Sequence, residues 1–315
     1  MKVTRGYSDG VVRAHPVATI GNFDGHHIGH KTLLDIVVRT ARCVQGSALA
    51  VTFDPHPVKI LAPQAELRFL TSYDEKLARF EEAGIDEVVF LEFSKAFAKL
   101  SPDDFAEQVL HDGLQLKEIF VGQQFAFGHK RAGTIADLIA LGHRFGFHVH
   151  PVSPVVAAGA VVSSTRIRQL IHQGKVDQAA ALLGRQYAIG GVVLPGAHRG
   201  QTLGWPTANL RLPTDRVVPP DGVYATVTLW NQSRYDSVAY IGTRPTFDAG
   251  ARLLEVYLLD ASPELYGQSI SVEFVDRVRG DIHFDAGEAL SRQISLDVER
   301  ARGLLRRHHE TAVGS

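Results

Sequence analysis

Gly21-Asn22-Phe23-Asp24-Gly25-His26-His27-Ile28-Gly29-His30 sets a glycine turn and an HxGH pair directly after an apolar run. That run, Val17-Ala18-Thr19-Ile20, favours a β-strand. From Lys31 to Val44, residues Leu33, Leu34, Val37, Val38 and Ala41 recur at the spacing of one buried helix face. The order is therefore strand, turn, helix. A helix N-terminus presents unpaired N–H groups and a partial positive charge, and Gly25 and Gly29 let backbone approach a ligand closely, so the junction suits a phosphate. His27 and His30, three apart, project from one side of the first turn, where imidazoles donate to phosphate oxygens and stabilise developing charge. Two solvated histidines beside a helix start would read the same way, so the rest of the chain has to decide.

Outward from this stretch, strand candidates at 17–23, 48–53, 87–93, 118–122 and 148–152 alternate with helical segments at 28–44, 74–84, 102–112, 134–145 and 164–173. Ser101, Pro102, Asp103 and Asp104 supply N-cap, first-turn proline and acidic first turn for the helix at 102. Such βαβ order predicts a Rossmann-like, mostly parallel sheet, with ligands at the carboxyl ends of its strands near a topological switch. After a helical stretch at 176–183 the texture changes. Short runs at 187–194, 222–230, 236–241, 252–259 and 269–275, separated by Gly, Pro, Asn and Asp, predict an antiparallel barrel or sandwich. Two domains are expected, 1–184 and 185–315. The second closes with a helix from about 286 to 307, with an Asp285/Glu288 capping box and an inward stripe of Ala286, Leu290, Ile294, Val298, Ala301 and Leu305.

With 315 residues and 45% apolar content the chain is long enough for two cores. A net charge of −1 argues against nucleic acid or an anionic membrane as partner, which leaves small molecules and room for a weak homo-oligomer. The lone Cys43 reads as a small buried residue in a reducing compartment. No apolar run approaches the ~20 residues of a membrane span and the first residues lack a signal-peptide core, so the cytoplasm is the expected location.

Three more stretches accompany the first in the N-terminal half. Ser163-Ser164-Thr165-Arg166-Ile167-Arg168 puts hydroxyls at a helix start and an arginine one turn on; the hydroxyls can cap or donate to phosphate, and Arg168 can grip phosphate bidentately. Thr52-Phe53-Asp54-Pro55-His56-Pro57 is a stiff loop after a strand. Val121-Gly122-Gln123-Gln124-Phe125-Ala126-Phe127-Gly128 carries two aromatics that serve either the core or a pocket for a planar ring. In the C-terminal half, Gly200 to Asn209 joins Gly200 and Gly204 to the oxygen-bearing Thr207 and Asn209, which are hard donors of the type Mg²⁺ accepts. Glu255 stands inside an otherwise apolar strand, on one face with Leu253 and Tyr257. It is a general-base candidate, or a structural partner for Arg244 or Arg252.

Taken together, GNFDGxHxGH, TFDPHP, VGxxFxFG and SSTRIR resemble the N-terminal module of the bacterial bifunctional riboflavin kinase/FAD synthetases. GxxLGxPTAN, PPDGVYA at 219–225, IGTRPTF at 241–247, the strand around Glu255 and ELYG at 264–267 resemble their kinase module. The resemblance implies an FMN adenylyltransferase domain followed by a β-barrel riboflavin kinase domain. It implies that ATP meets Gly21, Asn22, Phe23, Asp24, Gly25, His27, His30, Ser164, Thr165 and Arg168, and that flavin meets Gln124, Phe125 and Phe127. In the kinase it implies ATP at Gly200, Gly204, Thr207 and Asn209, Mg²⁺ on Thr207 and Asn209, and Glu255 as the base. The family often has an acid or Asn at the position of Gln124, Arg at that of Ala126, and Arg at that of Gln201. A second reading follows from Gln124 and Ala126: a paralogue with weakened or lost adenylyl transfer, or one acting on a flavin analogue.

Overall fold

Val17–Ile20, buried throughout, forms an inner strand of a six-stranded sheet whose pairings are all parallel. In chain order the strands are β1 (Lys2–Arg5), β2 (Val17–Ile20), β3 (Ala48–Asp54), β4 (Glu87–Glu92), β5 (Glu118–Gly122) and β6 (His148–Val152). Their order across the sheet is β1-β4-β3-β2-β5-β6. The chain steps outward from β2 through β3 to β4, then crosses back to β5 and β6. The direction of winding reverses between β2 and β5, and in sheets of this kind ligands bind outside the carboxyl ends of the strands at such a point.

Helices cover both faces, which is why the inner strands read as continuous apolar runs. On one face Leu33, Leu34, Val37 and Ala41 of α1 (Ile28–Cys43) and Phe80, reached after α2 (Pro57–Leu61) on α3 (Tyr73–Glu82), pack against Val17, Ala48, Ala50 and Val88. On the other, α4 (Pro102–Asp104) continues as a π-helical stretch, Phe105–Gly113, and with α5 (Ile135–Phe145) covers Ala18, Ile20, Leu49 and Val51. Ser101 caps α4 as expected, and Asp104 closes a capping box with it. A two-residue hairpin, β7 (Val156–Ala157) with β8 (Ala160–Val161), precedes α6 (Ser164–His172) and α7 (Val176–Leu183).

The computed structural model describes residues 1–7, 10–194, 205–243, 252–284 and 287–313, and the chain divides into two compact units, Met1–Ser164 and Thr165–Ser315. In the second unit β9 (Tyr187–Leu194), β10 (Ala208–Arg211), β11 (Gly222–Trp230), β12 (Ser233–Thr243), β13 (Arg252–Leu258) and β14 (Ser269–Gly280) close an antiparallel barrel in the order β10-β13-β12-β11-β14-β9. Closure selects the barrel over the sandwich. Helix α7 packs on β14 and β9. The last helix, α8 (Gly287–Val313), lays Val298, Ala301 and Leu305 on the outer barrel face made by Val223, Ala225 and Val227. Asp285 and Ala286 of its expected start lie outside the described residues.

One expectation is overturned. Cys43 is exposed, because as the last residue of α1 it falls off the Leu33/Leu34/Val37/Ala41 stripe. Four strands escaped the sequence reading: β1 with its polar Lys-Val-Thr-Arg, the two-residue strands β7 and β8, and the four-residue β10.

Candidate active sites

In the first unit His27 is the N-cap of α1. Its extended backbone ends the glycine turn, and its Nδ1 accepts the backbone N–H of His30 at 3.2 Å. An imidazole nitrogen that accepts carries no proton, so the proton of neutral His27 sits on Nε2. The rings of His27 and His30 stack at 3.6 Å with 14° between planes. Gly29 permits this arrangement, since a Cβ there would stand 3.3 Å from the His27 ring. Among the described residues, buried His30 Nδ1 has no hydrogen-bond partner, an arrangement that costs stability.

Phe23 is 1% exposed and meets His30 edge-on at 5.2 Å, so it acts as the wall behind the imidazole. Asp24 is equally buried. Its Oδ1 accepts the backbone N–H of Leu70 at 2.9 Å and of Thr71 at 3.2 Å, while the Thr71 hydroxyl receives Gly25 N–H. The carboxylate thus fastens the turn to the segment before α3. Asp24→Ala leaves those buried N–H groups unpaired and is expected to destabilise the first unit by about 2–3 kcal/mol, measurable as a shifted denaturant midpoint.

His30 is held well below the ordinary imidazole value, first by burial and then by the nearby His27, His26 and Lys76. The unfolded chain therefore takes up a proton near pH 6.5 that the folded chain refuses. This contribution leaves stability intact above that pH and erodes it as the pH falls, by about 1.4 kcal/mol per unit of separation. Thermal unfolding followed from about pH 7.5 to about 5.5 should show the loss, and His30→Gln should flatten it.

The Ser164 hydroxyl donates to the Asp24 carbonyl at 2.8 Å, tying SSTRIR to GNFDG across 140 residues. Thr165 is exposed, and Arg168 follows one turn later on α6. Gly21 N–H donates to the Val51 carbonyl, which fixes the turn to β3. Asp54, from TFDPHP, pairs with Arg5 of β1 at 2.7 Å, and His56 caps α2 through Val58 N–H. The loop after β5 exposes Gln124 and half-exposes Phe125, whereas Phe127 is 5% exposed and packs against Phe105 in the core. Sequence reasoning missed Lys76, whose Nζ donates to the Asn22 carbonyl at 2.8 Å.

In the barrel, Asn209, Glu255 and Tyr240 stand opposite one another on β10, β13 and β12. Directly opposed residues of antiparallel strands share a face, so the three side chains form one row. That face is the outer one, because Tyr240 and Tyr257 pack in the cluster under α8. Asn209 and Glu255 are 7% and 5% exposed. Arg252 pairs with Asp221 and donates to the Pro219 carbonyl. Thr207 precedes Asn209 by two residues, and Asn209 Nδ2 donates to its carbonyl at 3.4 Å. Trp205 anchors this entry to α8 through Ser291 Oγ at 3.3 Å. Tyr240 Oη donates to Asp281 at 3.0 Å, and burial followed by that carboxylate holds its phenol above the ordinary value. Arg279 grips the buried Asp297 of α8 at 2.8 Å, fixing the helix to the end of β14. Gly200, Gln201, Gly204 and Arg244 lie outside the described residues.

The family model described as FAD synthetase matches residues 12–166, and the one described as riboflavin kinase matches residues 183–305. Among curated relatives, the bifunctional riboflavin kinase/FMN adenylyltransferase of Haemophilus influenzae is 37% identical over 285 residues, covering 90% of this chain and 92% of its own. That of Escherichia coli K12 is 36% identical over 91% of each chain. That of Buchnera aphidicola from Acyrthosiphon pisum is 33% identical over 95% of this chain and 96% of its own. A solved structure described as a macrolide-efflux protein from Streptococcus pneumoniae superposes with a TM-score of 0.87 at 31% identity, covering 96% of this chain and 99% of that one. Among the described residues here, no helix is long and apolar enough to cross a membrane. With both modules matched in order and full-length relatives above 30% identity, the chain belongs to the family of bifunctional riboflavin kinase/FMN adenylyltransferases.

Proposed function

We infer that this chain carries out two successive ATP-dependent transfers. Riboflavin is phosphorylated to FMN on the barrel, and FMN is adenylylated to FAD, with release of pyrophosphate, at the parallel sheet. The observation that supports this reading is that a match to FAD synthetase over residues 12–166 and a match to riboflavin kinase over residues 183–305 follow one another in a chain that folds as a parallel sheet and then a closed barrel. We assign adenylyl transfer to the switch point of the sheet and the kinase step to the barrel row of Asn209 and Glu255. The division of labour assigns residues 1–184 to adenylyl transfer, because α6 carries Thr165 and Arg168, and residues 185–315 to the kinase.

In the kinase, Glu255 takes the proton of the riboflavin 5′-hydroxyl as that oxygen bonds to the γ-phosphorus and the bond to ADP breaks. Asn209 stands directly opposite on β10, which puts the proposed metal-side amide and the proposed base in one row. Thr207 and Asn209 fit Mg²⁺ as hard oxygen donors. Among the described residues no three His, Cys, Asp or Glu side chains are grouped to hold a metal, so the ion would arrive largely on the phosphates. Bound there, Mg²⁺ supplies charge neutralisation on the transferring group. Gly200 and Gly204 complete the proposed ATP loop.

In adenylyl transfer, an FMN phosphate oxygen attacks the α-phosphorus and pyrophosphate leaves. His27 donates from Nε2, His30 supplies its ring N–H from a neutral imidazole, and Ser164 offers a further hydroxyl donor to the phosphate chain; Arg168 keeps the phosphate-gripping role that the family resemblance implies. Gln124 and Phe125, on the loop after β5, take the flavin side, with Phe127 supporting them from the core. A free, exposed Cys43 fits a reducing cytoplasm.

Purified protein given riboflavin, ATP and Mg²⁺, with flavins separated over time, should yield FMN and then FAD. Accumulation of FMN alone would sink the adenylyltransferase half.

A further inference from the structure

Lys76 belongs to none of the motifs singled out in the sequence, yet α3 delivers it to the first one. A Ser72/Glu75 capping box fixes the start of α3, and Phe80, one turn beyond Lys76, packs edge-on against both Phe23 and His26. The helix is therefore the wall on which the HxGH turn rests. From it Lys76 Nζ reaches the Asn22 carbonyl at 2.8 Å, at the residue that follows the Gly21 turn.

The surroundings of that ammonium are short of negative charge. The two nearest carboxylates act on it from a distance and are otherwise engaged, Asp24 with Leu70 and Thr71 and Asp54 with Arg5. Burial pulls its pKa down from the ordinary lysine value against the pull of both carboxylates. An ammonium has three N–H donors, and a backbone carbonyl uses one. The Lys76 charge is felt at the His30 imidazole, whose buried Nδ1 has no partner among the described residues. A half-buried ammonium with no carboxylate paired directly to it among the described residues has charge and N–H donors to offer an arriving anion.

We propose that Lys76 is a further phosphate-binding residue of the adenylyl-transfer site, one that contacts the ATP phosphate chain and stays with the pyrophosphate as it leaves. This rests on the adenylyltransferase reading of the first unit. In the step, the bond from FMN phosphate oxygen to the α-phosphorus forms while the bond from that phosphorus to the bridging oxygen breaks. The electron pair goes to pyrophosphate, and the charge gained there is what Lys76 meets.

Lys76→Gln keeps a donor for the Asn22 carbonyl and removes the charge; Lys76→Arg keeps both. In the full chain, FAD formation from FMN and ATP is measured with added pyrophosphate as inhibitor, alongside FMN formation from riboflavin and the thermal midpoint. Lys76→Gln should raise the pyrophosphate inhibition constant and lower kcat/KM for ATP, each by about tenfold or more, as loss of one charge-assisted contact requires. Lys76→Arg should recover part of both, and FMN formation should hold. An unchanged inhibition constant in Lys76→Gln, or an equal loss in both variants with a lowered midpoint, would mean that Lys76 only braces the turn, and would overturn the proposal. Wild-type protein that forms no FAD would instead overturn the reading on which it rests.

Discussion

Glu255→Gln is expected to lower FMN formation by about 10²–10⁴-fold, the range a general base contributes, while FAD formation from supplied FMN continues at its original rate. The exchange is nearly isosteric, so Leu253, Leu254 and Val256 on either side keep the strand buried and the barrel folded. What is lost is the proton acceptor opposite Asn209 and Tyr240. Chromatography of flavins formed from riboflavin, and separately from FMN, reads the two activities in one preparation. An equal fall in both would show that Glu255 does not serve one independent site.

His27→Ala should do the reverse. Two contributions go together there: an N-cap worth about 1 kcal/mol to α1, and a phosphate donor whose removal costs about 10²–10³-fold in rate. FAD formation collapses and FMN formation persists. His27→Asn separates the two, because Asn is a good N-cap that accepts the His30 N–H but has no imidazole to offer a phosphate. It should restore the thermal midpoint of the first unit without restoring FAD formation.

The strands at 48–53, 87–93, 118–122 and 148–152 and the face of Glu255 were legible because they depend on local period, apolar runs for buried parallel strands and alternation for the barrel wall. β1 was hidden because it is an edge strand, mostly exposed, whose place is decided by pairing with β4 more than 80 residues on. Cys43 misled because residue type suggested burial, whereas its position off the Leu33/Leu34/Val37/Ala41 stripe decides exposure. In the sites, His27, His30 and Asn209 announced themselves through motifs. Phe23 and Asp24 were legible as members of the turn, but not what their side chains touch. A single sequence does not tell that one ring backs His30 and one carboxylate secures Leu70 and Thr71. Lys76, Tyr240 and Asp297 were invisible for the same reason, since what they do is fixed by distant partners.

The hydrogen bond from Ser164 to the Asp24 carbonyl also sets a schedule for biosynthesis. Residue 24 leaves the ribosome 140 residues ahead of its partner, an interval of about 7–28 s at about 5–20 residues per second. The β2 turn and α1 are local and form early, whereas this bond has to wait for the whole parallel sheet to be made. Throughout that interval the histidine pair sits in a half-built pocket. The first unit therefore gains its last tie only as the barrel begins to be synthesised.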